Sequence, residues 1–94
     1  MKTLLEVKKE LNWLGEVIDL QTIGKYQVAT YKEKDFDTKE ITGNLCYHGY
    51  VDGKDLMNET FRTFEECLVC NIAVSRGDHN GDAGRYFMKM IKNK

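Results

Sequence analysis

The sequence contains no proline, one tryptophan, one serine and no long apolar run, and each shortage removes a class of reading. Without proline there is no rigid linker to mark an internal boundary. No stretch approaches the ~18 apolar residues that a membrane-spanning helix needs. The residues after Met1 run into Glu6, Lys8, Lys9 and Glu10 without the apolar centre of a secretory signal, so a cytoplasmic location is the default expectation. The only serine, Ser75, has no glycine elbow around it, and Gly77, Gly81 and Gly84 match no phosphate-binding fingerprint. An excess of one charge is lacking too. The 14 basic and 15 acidic residues give a formal net charge of −1, whereas nucleic-acid binding by counterion release needs a basic surplus on some face. Only Arg85, Lys89, Lys92 and Lys94 form a cluster with no acid among them. The expectation there is a solvated helix face, with weak nucleic-acid binding as the alternative.

What is present suits one small globular domain. At 94 residues, two independent cores would each fall below a comfortable folding size. Hydrophobic residues at 41% and charged residues at 31% exclude disorder by composition. Three cysteines, an odd number, fit reduced thiols better than a disulfide framework.

The hydrophobic pattern predicts an α+β domain in the order α-β-β-β-α-α. Thr3-Leu4-Leu5-Glu6 has the form of a capping box, and Leu4, Val7, Leu11, Leu14 and Ile18 follow at three- and four-residue steps. This predicts a helix over residues 3–20. The period then changes to two. Tyr26, Val28 and Thr30 begin a first strand, a charged loop holding Phe36 follows, and residues 41–51 form a second strand. Asp52-Gly53 signals a turn, and residues 56–61 complete an antiparallel three-stranded meander. Thr63-Phe64-Glu65-Glu66 is a second capping signal, and Gly77 stands where a helix of about four turns would stop. The run from Cys67 to Val74 suits a buried strand by composition, but the cap before it and the glycine after it favour a central helix. A last helix, capped by Asp82, would carry Ala83, Tyr86, Phe87, Met90 and Ile91 on one face.

Several residue groups invite a chemical reading. Cys46, His48, Cys67 and Cys70 supply the number and type of ligands for a structural zinc site. The apolar surroundings of the Cys67/Cys70 pair favour core packing, so no metal or cofactor is expected and zinc is kept as the alternative. A deaminase signature would need a glutamate two residues after the first ligand and a proline before the cysteine pair, and both are missing. Asp78, Asn80 and Asp82 are spaced like the start of a calcium loop, but Ala83 and Lys89 stand where its glycine and bidentate glutamate belong. Cys46 and His48 are the only near nucleophile–base pair, and nothing in the sequence activates the thiol. No catalytic residues are assigned.

A docking surface remains. On a long first helix, Trp13 and Val17 would lie beside the main stripe and widen the apolar arc. On the second strand, His48 and Tyr50 would share an outward face with Thr42 and Asn44. Trp13, Val17, His48 and Tyr50 are therefore the expected partner-binding residues, facing another protein or a second copy of the chain. Short, proline-free, Lys/Asn/Glu-leaning domains of this kind resemble, in composition alone, the small accessory proteins of bacteriophages and mobile elements. That likeness implies an inhibitor or accessory role exerted by docking on a host protein.

Overall fold

The structure, a computed structural model, describes residues 1–77. The expected last helix, the calcium-like loop and the basic group from Arg85 to Lys94 lie outside the described residues. Within them the order is α1 (Leu4–Glu10), β1 (Gly15–Ile23), β2 (Tyr26–Lys34), β3 (Ile41–Val51), β4 (Thr60–Phe61) and α2 (Phe64–Ser75). The four strands form one antiparallel sheet in sequence order. No helix among the described residues is long and apolar enough to cross a membrane.

The first helix begins as the sequence implies and stops much earlier. Thr3 Oγ1 accepts from the Glu6 amide at 3.2 Å, and Glu6 Oε1 accepts from the Thr3 amide at 3.0 Å, completing the capping box. After Glu10 the chain turns, with the Leu14 and Gly15 amides both donating to the Leu11 carbonyl. The expected continuation to residue 20 is instead β1, adding a strand at the edge of the predicted meander. Val17, Ile18, Thr22 and Ile23 are β-branched and favour a sheet, and Gly15 permits the entry. A Cβ on Gly15 would lie 2.0 Å from the Lys32 carbonyl oxygen. A seven-residue helix is not stable by itself. Burial of Val7 and Leu11 holds α1 in place, at roughly 1.5–3 kcal/mol for each side chain.

The helices lie on opposite faces of the sheet. On one face Val7 of α1 and Leu11, which caps its end, join Val17, Ala29, Tyr31, Cys46 and Tyr50. On the other, Cys67 and Cys70 of α2 join Val28 and Phe61, with Tyr47, Met57, Phe64 and Leu68 around them. Because neighbouring residues of β2 serve different faces, Gln27 to Tyr31 are all buried. α2 follows its sequence signals closely. The Thr63 hydroxyl accepts from the Glu66 amide at 3.1 Å, the run through Cys67 and Cys70 is helical, and Gly77 adopts φ +106° just beyond the end. The third predicted strand shrinks to Thr60–Phe61, since residues 52–59 form the turn and a loop around the side of β3.

One close approach seats α2 on β3. Asn71 is buried and donates from Nδ2 to the Cys67 carbonyl at 2.8 Å. A Cβ on Gly49 would fall 2.1 Å from that same Nδ2. Gly49→Ala is therefore expected to destabilise the fold by about 1–3 kcal/mol through overpacking. Gly43→Ala in the same strand, where an added methyl meets nothing within 4 Å, should leave stability unchanged or raise it by up to ~1 kcal/mol. Urea melts of the two variants make the comparison.

Candidate functional site

β3 places Cys46, His48 and Tyr50 on the face shared with α1, and all three are buried, at 1%, 3% and 1% exposure. This corrects the expectation of an open sheet face. α1, the side chains of β1 and the loop after β3 cover what a three-stranded meander would have left bare. His48 Nε2 lies 2.8 Å from Asp55 Oδ2. The other oxygen of Asp55 accepts the Asn58 amide at 2.7 Å, so one carboxylate fastens the loop to the strand and shapes it. The rings of His48 and Tyr50 meet edge to face with centroids 5.5 Å apart. Tyr50 donates to Glu10 Oε2 at 3.1 Å, and Glu10 also pairs with Lys2. Through that link the end of α1 is bonded to the middle of the sheet. The Tyr31 hydroxyl meets Thr60 Oγ1 at 2.6 Å and ties β4 in the same way.

The thiols have partners of other kinds. Arg62 Nη1 donates to Cys46 Sγ at 3.5 Å and to Glu33 Oε2 at 3.2 Å, while the thiol points to Glu33 at 4.0 Å. Burial pushes the Cys46 thiol above its ordinary pKa despite the opposing Arg62. His48 engages Asp55 and Tyr50, so the thiol and the imidazole serve separate contacts rather than forming a nucleophile–base pair. Cys67 is raised further by burial, with Cys70 and Glu66 adding to it. Its environment is apolar, apart from the Asn71 amide 3.7 Å away.

The alternative zinc set is split by the sheet. Cys46 and His48 lie on the α1 face, whereas Cys67 and Cys70 lie in the cluster under α2. The sheet thus separates ligands that tetrahedral zinc would need within ~2.3 Å of one point. Among the described residues no three potential ligands converge.

Of the four expected partner-binding residues, Val17, His48 and Tyr50 are buried and only Trp13 is open, at 60% exposure. Val17 moved inward because it lies on a strand and not on a helix flank; it sits opposite Tyr31 in the α1-face core. Trp13 stands in the turn between α1 and β1, stacked on Phe36 of the β2–β3 loop with centroids 6.5 Å apart and planes at 25°. Phe36 is itself 56% exposed. Lys34 holds the two loops together, donating its amide to the Leu14 carbonyl and its Nζ to the Asn12 carbonyl, both at 3.0 Å. Asp35 Oδ1 accepts from the Asp37 and Thr38 amides at 2.8 and 3.3 Å, which shapes the loop presenting Phe36. Sequence reasoning noted Phe36 as the lone apolar residue of a polar loop, and that was the available signal for it.

No protein-family model, curated protein or solved structure matches the chain.

Two outcomes follow from the buried groups. Cys46, Cys67, Tyr31 and Tyr50 all hold their protons more tightly in the folded state, chiefly through burial. Above about pH 9, where unfolded thiols and then phenols ionise, the native state binds more protons than the unfolded one. Stability must then fall as pH rises. The urea midpoint should drop between about pH 9 and 11, and at pH 8 a thiol reagent should modify Cys46 and Cys67 only as fast as the chain opens. The divided ligand set predicts that purified protein carries no stoichiometric zinc by elemental analysis and that a chelator leaves its melting temperature unchanged.

Proposed function

We propose that this chain is a small non-enzymatic interaction module that docks on another protein through the stacked Trp13–Phe36 pair. The observation that carries this reading is the exposure of two large aromatic side chains from separate loops, held against each other outside the core. Exposed apolar residues scattered singly need no explanation, but paired aromatics on a fixed platform supply large contact area with little ordering cost. Leaving the pair in water gives up burial that a partner would restore, and tryptophan dominates interface energetics more often than most residues. The beginning of β3 adds Ile41 and Leu45, both more than 40% exposed, near the same end of the sheet. In this reading Val17, His48 and Tyr50 form the framework that sets the loops rather than the contact surface. An accessory or inhibitory role on a host protein, as the phage-like composition suggests, needs no more than such a surface.

The test is capture from an extract of the source cells, with Trp13→Ala/Phe36→Ala as the comparison. Both side chains lie outside the core, so the double variant should keep its stability within about 1 kcal/mol. Its partner affinity should fall by at least about 30-fold, the equivalent of one dominant interface residue. Trp13, the only tryptophan, should also shift its emission to the blue when the partner binds the parent protein. Equal capture by the parent and the double variant would contradict the reading.

A further inference from the structure

The outer edge of β1 is the longest unpartnered hydrogen-bonding surface among the described residues. β1 is the end strand of the sheet and runs for nine residues, and no other described strand pairs with its outer side. Exposed edges attract any extended chain, and proteins commonly guard them with proline, lysine, bulges or inward charges. β1 has neither proline nor lysine. It has a bulge between Val17 and Asp19 and two acids, Glu16 and Asp19.

The two acids differ in their surroundings. Glu16 faces Lys32 across the β1–β2 pair, whereas Asp19 faces uncharged Thr30. No ion pair among the described residues includes Asp19, whose contact is the Gln21 amide at 3.4 Å. Asp19 is also the fifth of the nine residues. If a second copy paired its β1 antiparallel in full overlap, the two Asp19 carboxylates would stand directly opposite each other, an arrangement that destabilises a strand pair. The bulge distorts the same point. This edge is thus set against its own copy and matched to a cation at its centre. Ile18 and Ile23 flank that centre at 44% and 45% exposure and offer apolar contact to an added strand. Trp13 stands two residues before the strand begins, so an added strand would end beside the Trp13–Phe36 platform.

We propose that β1 is a docking edge for an extended, basic segment of a partner protein, which joins the sheet as a fifth strand with lysine or arginine opposite Asp19. This rests on the interaction-module reading and names how the partner is held: main-chain hydrogen bonds supply the pairing, and the central charge selects the segment.

The probe is a synthetic nine-residue peptide copying β1 with lysine at the Asp19 position, compared with one bearing glutamate there. Each is titrated into the isotopically labelled full chain and followed by amide chemical shifts. The lysine peptide should perturb Gly15–Ile23 and bind about three- to tenfold more tightly than the glutamate peptide. Asp19→Lys in the protein should reverse that preference. Equal binding of both peptides, no reversal, shifts confined to residues away from β1, or self-association of the parent protein through β1 would each overturn the proposal. If the charge preference is absent while capture still depends on Trp13 and Phe36, only the strand inference is lost. If capture no longer depends on that pair, the reading beneath it is lost instead.

Discussion

Everything else in this molecule depends on burying the β2–β3 pair from both sides. In a sheet with one solvated face, alternate residues along a strand face water. Here α1 lies over one face and α2 over the other, and five consecutive residues of β2 are withdrawn from solvent. Each half of the cover is small. α1, too short to persist alone, contributes the buried Val7, and its C-cap Leu11 adds a second side chain. α2 is brought close by Asn71 lying over Gly49, where no larger residue fits.

Two-sided burial decides what the polar and sulfur-bearing groups can do. His48 and Tyr50 are brought inside the molecule and are bonded there to Asp55 and Glu10, which belong to the loop after β3 and to α1. His48 Nε2 and the Tyr50 hydroxyl tie the covering layers to the sheet, because leaving such groups unmatched in the interior costs about 1–3 kcal/mol each; His48 Nδ1 has no partner among the described residues. Cys46 and the Cys67/Cys70 pair become filling for separate cores. The same arrangement leaves two exposed aromatic side chains outside both cores, Trp13 and Phe36, standing together at one end.

Much of the fold was legible in the sequence, and the misreadings have physical causes. The caps at Thr3 and Thr63 and the stop at Gly77 were readable because they are local: each needs a few neighbouring residues to satisfy free amides or permit a backbone turn. The alternation over residues 41–51 was equally local and marks β3. Residues 11–20 were misread because Leu11, Leu14 and Ile18 extend the helical spacing of Leu4 and Val7, while Val17, Leu20 and Thr22 suit a strand. The helix is capped at Leu11, and tertiary pairing with β2 settled a choice that spacing left balanced. The omission of β1 carried forward, since a three-stranded meander would leave one face of β3 open and place His48 and Tyr50 at the surface. The division of Cys46 and His48 from Cys67 and Cys70 was hidden for a similar reason, because spacing along the chain does not say on which side of a sheet a helix lies. Exposure of Trp13 was legible; its stacking on Phe36 was not, as that contact exists only after β1 and β2 bring two loops together.

Double-sided burial with the Trp13–Phe36 pair left outside can be tested by adding a soluble paramagnetic agent and measuring relaxation of side-chain protons. The ring protons of His48 and Tyr50 and the methyls of Val28 should be shielded to a similar degree, although they lie on opposite faces. Those of Trp13 and Phe36 should broaden at low concentrations of the agent. Broadening of His48 and Tyr50 comparable to that of Trp13 would mean that one face of the sheet is open, and would contradict the architecture and the docking surface drawn from it.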